Sequence, residues 1–526
     1  MRFLCAVSAV LILAVVLRTS RLDVRPMHGD EAVHACRFGQ LLEANNYRYD
    51  PTEFHGPTLN YFTLIPALLF GQHTYVSLTE ITLRIVPVFF GLVLVLMPLL
   101  LLDGLGRPVA VVACVLTAIS PAFVFYSRYY IPEMLLVCFT FGMIACGYRY
   151  ARSPKWIWAL RTGVLAALCF ATKETSVIAF GAVIVALVVV LLTRKDGQPT
   201  LNLVRPGHLV LAIIGAVVVW GLFYSSFFNN PAGLIDSFRT YAIYFERAGH
   251  NQFHIHPWYY YLQLLIYSKA EMGPPWTEGF IVVMALVGLL VIISRCGVSG
   301  LDSNLLKFIA FYTVIMTVVY SAIPYKTPWC LLSFYQGMIL LAAVAVVAVV
   351  NLFGRTLSRV IVAAFFATFA MDLVLQAFVA NFISFAEPGN PYVYAHPTKD
   401  VLTIARRVEE VSRAYPAGRD MPVWVVCPEG DYWPLPWYLR SFKSVGYYND
   451  VNEIRSPAPV VIASAGLEGR LITRLFDLSP PGQKNLYVPL FDKGIELRPR
   501  VELRGYVTKD LWDQWQSSKS DNQAGK

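Results

Sequence analysis

His28-Gly29-Asp30-Glu31-Ala32-Val33-His34, continued by Tyr49-Asp50-Pro51-Thr52-Glu53-Phe54-His55-Gly56-Pro57, sets four carboxylates and three imidazoles directly after the first apolar run of the chain. Ionisable groups beside or within a membrane are costly to desolvate and mark sites more often than packing. The stretch therefore reads as the catalytic loop of a membrane enzyme, with the rest of the chain as its support.

Composition agrees. The 526 residues are 56% hydrophobic and 15% charged, with mean hydropathy +0.53, which excludes an ordinary soluble protein and points to many membrane spans. The net charge of +9 does not indicate nucleic acid, because the basic residues sit between apolar runs and form no dense patch. The nine cysteines contain no CxxC pair, and Cys5, Cys114, Cys138, Cys146 and Cys169 lie in apolar runs. No disulfide framework or zinc knuckle is expected. Arg18-Thr19-Ser20-Arg21 offers no small-residue cleavage site, so the first run reads as an uncleaved span.

Apolar runs at 3–17, 81–102, 109–126, 132–148, 159–172, 175–193, 209–226, 279–294, 308–323, 329–350 and 360–380 predict about eleven transmembrane helices. The stretch 58–70, flanked by Pro57 and interrupted by Pro66, reads as a short interfacial helix. With the N-terminus inside, the inner loops hold twelve Lys and Arg against three acidic residues, the asymmetry of a cytoplasmic face. The same parity places Asp30-Glu31, Ser127 to Glu133, Lys173-Glu174, the loop 227–277 and Pro324 to Trp329 outside. After residue 385 the pattern becomes soluble. Val401, Ile404, Ala405, Val408 and Val411 have helical spacing, and Val423–Val426 and Pro459–Ala463 read as buried strands. The expected organisation is an all-α polytopic membrane domain (1–384), a small extracytoplasmic α/β domain (385–516) and a disordered tail (517–526).

Within the polar motifs, Asp30 and Glu31 open a helix, where carboxylates also serve as plain caps. As a site, one of them takes a proton from an acceptor hydroxyl, with His34 four residues on at a spacing that allows it to orient the acid. Glu53 and His55 lie in a turn-rich segment, as substrate contacts or as a rigid turn. Arg128 suits a phosphate or a lipid headgroup. Glu133 is explained by its place in a helix's first turn, after Pro132. Lys173-Glu174 is either a tight turn with its own ion pair or a phosphate contact, and Tyr325 with Lys326 invites the latter reading. Arg128, Lys173 and Lys326 together form a basic collar suited to a phosphate leaving group. His254-x-His256 with His250 matches no specific zinc spacing. No cofactor is required by the sequence, although these histidines leave room for a divalent cation.

Asp30-Glu31-Ala32-Val33-His34-Ala35, Tyr49-Asp50-Pro51 with His55-Gly56-Pro57, Tyr126-Ser127-Arg128, Thr172-Lys173-Glu174, Tyr325-Lys326-Thr327-Pro328-Trp329 and Trp433-Pro434-Leu435-Pro436-Trp437-Tyr438-Leu439-Arg440 form an ordered set. The set resembles the GT-C membrane glycosyltransferases, including the protein O-mannosyltransferases and the lipid A aminoarabinose transferases. The nearer likeness is to the prokaryotic flippase-activity-associated glycosyltransferase-like branch. The resemblance implies an inverting transferase with a polyprenyl-phosphate-linked sugar donor. It matches Asp30 to the catalytic acid of the first loop, with Glu31 beside it, and Glu133 to the acid of the second loop, an aspartate in many relatives. An outward-facing site also favours a lipid-linked donor, since nucleotide sugars are cytoplasmic. The expected setting is a multi-pass protein of the plasma (inner) membrane acting on an acceptor protein, lipid or glycan, without nucleic acid. The rivals are a non-enzymatic flippase component and a hydrolase of lipid-linked sugars.

Overall fold

A computed structural model describes residues 1–44, 47–52, 55–193, 204–248, 254–270, 273–294, 300–478 and 484–524. The helices in chain order are α1 (Arg2–Thr19), α2 (Gly29–Ala44), α3 (Thr58–Leu69), α4 (Glu80–Leu96), α5 (Leu102–Ile119), α6 (Pro121–Ser127), α7 (Glu133–Arg152), α8 (Trp156–Phe170), α9 (Ser176–Leu192) and α10 (Pro206–Tyr224). They continue as α11 (Gly233–Ala248), α12 (Tyr260–Ile266), α13 (Gly279–Ser294), α14 (Ser303–Ala322), α15 (Leu332–Leu352) and α16 (Thr356–Phe378). The last four are α17 (Asp400–Ser412), α18 (Leu435–Tyr438), α19 (Glu468–Leu478) and α20 (Lys509–Ala524).

The chain divides into two compact units. One comprises Met1–Leu22, Ala44–Gln72 and Ile81–Tyr394; the other comprises Asp23–Glu43, His73–Glu80 and Ala395–Lys526. The acidic segment with Asp30 thus belongs to the unit that holds the C-terminal sheet, whereas the sequence reading places it in the transmembrane domain.

In the helical unit, seven segments among the described residues are long and apolar enough to cross a membrane, and four shorter apolar helices accompany them. The segments at α7 and Pro328–Leu352 are mostly buried, while α10 and α16 are almost wholly exposed on their flanks, so α7 and α15 form the centre of this unit. Close approach is bought with glycine: a Cβ on Gly288 of α13 would lie 2.2 Å from the Leu341 carbonyl of α15, the small-residue contact typical of membrane helices. The expected run 109–126 is split instead. Helix α5 stops at Ile119, Ser120 Oγ accepts the Phe123 N–H, and Pro121 starts α6, because Pro lacks the amide that a continuing helix needs. The runs 159–172 and 175–193 form two helices, α8 and α9, parted at the Lys173-Glu174 turn.

The other unit is built on β1 (Val423–Val426), β2 (Val445–Tyr448), β3 (Val460–Ser464), β4 (Tyr487–Pro489), β5 (Ile495–Arg498) and β6 (Val501–Thr508). Strand order is β2-β1-β3-β6-β4, with β5 also on β6. Val423 pairs in parallel register with Val445 and Val460, and β6 runs antiparallel to β3, β4 and β5. Alternation along the strands buries both faces. Val423, Val425, Val460 and Ile462 meet Val401, Ile404, Val408 and Val411 of α17, while Val426, Val461 and Ala463 meet Leu471 and Leu475 of α19. Helix α20 continues to Ala524, into the 517–526 stretch expected to be a disordered tail, with Leu511 and Trp515 of its first half four residues apart in the core.

Candidate functional site

In the helical unit the centre of the polar chemistry is Glu133, at the start of α7, and Lys173, in the turn between α8 and α9. Lys173 Nζ donates to Glu133 Oε1, and the side chains are 8% and 3% exposed. Glu133 Oε2 is buried and finds no hydrogen-bond partner among the described residues. Helix α7 continues into the wall of an apolar cleft enclosing about 520 Å³, open solvent at its mouth included, lined by Leu136, Phe141, Ala179, Phe308, Tyr312 and Leu340. Tyr320, also lining it, stands within electrostatic reach of Lys173. The charged pair thus precedes, on each of its two segments, a residue of the cleft lining: Leu136 after Glu133 and Thr175 after Lys173.

Glu174 does not pair with its neighbour Lys173 as a self-contained turn would. Its Oε2 meets His55 Nδ1 at 2.8 Å and its Oε1 accepts the Tyr49 hydroxyl at 3.3 Å. Thr58 N–H donates to the Ala171 carbonyl (3.2 Å), and the Thr58 and Thr172 hydroxyls bond at 2.8 Å. A Cβ on Gly56 would fall 2.2 Å from the Ala171 oxygen, so only glycine lets the segment lie this close. Burial raises the Glu174 carboxyl, but His55, together with a backbone hydrogen bond and the Lys173 charge, more than offsets it and leaves the group below its ordinary 4.5. A lowered value contributes stability that is complete above the ordinary carboxylate range and lost as pH falls through the lowered one. Acidification below pH 4.5 is therefore expected to undock Tyr49, His55 and Thr58 from the 171–174 turn, seen as faster amide exchange at Thr58. Glu174→Gln should abolish that acid-dependent step.

Arg128, expected to meet a phosphate or a lipid headgroup, is held here by backbone carbonyls. Its Nη1 donates to the carbonyls of Leu17, Arg18 and Ser20 (3.2, 3.1 and 2.7 Å), and its Nη2 to that of Arg21 (3.1 Å). It caps the C-terminal end of α1, whose last carbonyls have no partner within the helix. Its guanidinium also lies over Phe382.

Lys326 is likewise committed. Residues 254–256 pair with 324–326 through Lys326 N–H to His254 O (2.9 Å) and His256 N–H to Pro324 O (3.1 Å), and Lys326 Nζ donates to the His256 and Ile323 carbonyls. Tyr325 is 46% exposed. His254 Nδ1 and His256 Nε2 share the Tyr394 hydroxyl at 2.5 and 3.2 Å. Among the described residues no three His, Cys, Asp or Glu side chains gather as a metal site requires. His250 and Glu53 lie outside the described residues.

In the sheet-bearing unit, the adjacent acids separate completely. Glu31 is fully buried, pairs with Arg25 (3.1 Å) and accepts the His28 N–H (3.0 Å). It closes the first turn of α2 as a capping acid does. Asp30 is 51% exposed, and its N–H donates to His28 Nδ1 at 3.0 Å. Accepting at Nδ1, neutral His28 carries its proton on Nε2. His34 is buried on α2; the imidazole bonded at Asp30 is that of His28. Of the two acids, Asp30 is the one open to solvent.

A further buried acid escaped the reading altogether. Glu278, fully enclosed in the helical unit, accepts from Ser120 Oγ (2.5 Å), Ala122 N–H (2.9 Å), Tyr335 Oη (2.9 Å) and Tyr392 Oη (2.6 Å). The sequence signal was an acid immediately before an apolar run. Glu278→Ala would strand these donors, and a loss of about 3 kcal/mol or more in unfolding free energy is expected in denaturant titrations.

Residues 58–230 match the sequence profile of the dolichyl-phosphate-mannose-protein mannosyltransferases. Over 95% of the chain, and 97% of the other, the fold superposes on ArnT from Cupriavidus metallidurans with TM-score 0.65 at 16% identity. This is the GT-C glycosyltransferase fold. The same figures hold for ArnT bound to undecaprenyl phosphate. A further GT-C structure, the archaeal oligosaccharyltransferase AglB of Archaeoglobus fulgidus, in complex with an inhibitory peptide and a dolichol-phosphate, matches at 12% identity and TM-score 0.58, over 90% of this chain and 71% of that one. A comparison with curated protein sequences finds no match.

Proposed function

We propose that the protein is an inverting glycosyltransferase that moves a sugar from a polyprenyl-phosphate carrier to an acceptor hydroxyl at the outer face of the plasma membrane. The observation that carries this reading is the buried Glu133–Lys173 pair, whose glutamate stands three residues before Leu136, where α7 begins to line the apolar cleft. An anionic head on a long apolar tail is the ligand such a combination fits. The GT-C fold supports the chemistry, and so do the polyprenyl and dolichol phosphates in the structures of two proteins of that fold. The excess of Lys and Arg in the proposed inner loops supports the orientation.

In this reading Asp30 accepts the proton of the acceptor hydroxyl, whose oxygen attacks the anomeric carbon. The bond from that carbon to the phosphate oxygen breaks, and polyprenyl phosphate leaves with the electron pair. One displacement inverts the anomeric centre and needs no covalent intermediate. Lys173, held in place by Glu133, steadies the charge that grows on the phosphate.

Donor-head recognition is testable by thermal unfolding in detergent. Undecaprenyl phosphate at about a hundred times its dissociation constant is expected to stabilise the protein by about 2.7 kcal/mol, whereas undecaprenol should do far less. Equal stabilisation by the two lipids would refute a phosphate site.

A further inference from the structure

Within the sheet-bearing unit, one short segment touches the Asp30 helix at several points. Tyr438 Oη accepts the Met27 N–H at 2.8 Å, directly ahead of the His28–Glu31 turn. Gly29 faces Trp433, whose Cβ would be 3.6 Å from a Cβ placed there. Trp437 is fully buried, donates from Nε1 to Glu80 Oε1 at 2.8 Å, and meets Tyr75 edge to face. Arg440 lies over Trp437 at 3.7 Å and donates to the Leu78 carbonyl at 2.8 Å. Tyr75 then holds the other half of α2. A Cβ on Gly39 would fall 2.7 Å from its ring, and its N–H donates to Glu43 Oε1 at 2.6 Å.

The segment thus holds α2 near both ends, directly at Met27 and through Tyr75 at Gly39 and Glu43. A half-exposed carboxylate on a polar helix has little packing of its own to fix it. Its direction is set by the turn before it, and that turn is tied to the 433–440 segment through the Met27 amide. We infer that Tyr438 is a positioning residue for Asp30, acting through the Met27 amide, with Trp437 and Arg440 bracing the far end of α2. The C-terminal sheet then serves as the mount of the catalytic acid. This inference rests on the reading of Asp30 as the base.

The test is Tyr438→Phe in the full-length protein, which keeps the ring and removes the acceptor. Hydrogen–deuterium exchange needs no ligand: amides 25–32 are expected to exchange about tenfold faster, while α17 and β3 stay as in wild type. Should Tyr438→Phe fold poorly, Trp437→Phe, which removes the Nε1 donor to Glu80 and shrinks the buried ring packed on Tyr75 and Arg440, is expected to speed exchange at 78–80 and 40–44. Turnover of radiolabelled polyprenyl-phosphate sugars is expected to show kcat lowered about tenfold with donor KM unchanged, the signature of a misplaced group. The double variant with Asp30→Asn should be no slower than Asp30→Asn alone. Unchanged exchange at 25–32 overturns the inference, and so does a wild-type kcat in Tyr438→Phe when Asp30→Asn is inactive. An active Asp30→Asn would instead overturn the assignment of the base, a failure distinguishable from that of the mount.

Discussion

Asp30→Asn is expected to lower kcat for sugar transfer by about a hundred- to ten-thousand-fold, the range for removing a general base, while leaving the unfolding temperature within about 2 °C of wild type. The two effects separate because the Asp30 side chain is 51% exposed and touches the buried His28 ring only through a 3.8 Å approach of Oδ2 to Nδ1. Its neighbour should behave in the opposite way. Glu31 is fully buried against Arg25 and the His28 amide, so Glu31→Gln is expected to cost about 1–3 kcal/mol of stability. Turnover in Glu31→Gln at a temperature where it stays folded should fall much less than in Asp30→Asn. Equal kinetic losses would mean that the acids act as one unit and that the division of labour is wrong.

The second large effect concerns Lys173. Lys173→Met leaves the Glu133 carboxylate buried without its cation, which is expected to cost about 3–5 kcal/mol in unfolding free energy. Adding Glu133→Gln removes the stranded charge, and the double variant should regain most of that stability. It should not regain turnover or the stabilisation by undecaprenyl phosphate, because the cation that receives the phosphate is still missing. Thermal unfolding and donor turnover on wild type, Lys173→Met and the double variant decide the matter. A double variant that recovers both would reduce the pair to a structural ion pair.

The apolar runs made most of the fold readable, since spans must satisfy their backbone internally and announce themselves by length and hydropathy. The helices at 400–412 and the strands at 423–426 and 460–464 were equally legible from their periodicity. Partners distant in sequence were not legible. Nothing local says that Lys173 reaches back forty residues to Glu133, or that Glu174, one residue on, turns to His55. Arg128 looked like a phosphate ligand because guanidinium chemistry suits phosphate and helix-end carbonyls alike, and only the fold shows which it meets. The roles of Asp30 and Glu31 are split by burial, which two adjacent acids in a sequence cannot reveal.

The most direct measurement follows a doubly labelled polyprenyl-phosphate sugar in proteoliposomes containing wild type or Asp30→Asn, with candidate acceptors on the outer side. The account predicts that wild type moves the sugar label to acceptor with inverted anomeric configuration, releases one polyprenyl phosphate per sugar moved, and loses both products in Asp30→Asn. Transfer of the label to water alone would make the protein a hydrolase. Intact sugar-lipid crossing the bilayer equally in both proteins, with no polyprenyl phosphate released, would contradict the account and identify a flippase component.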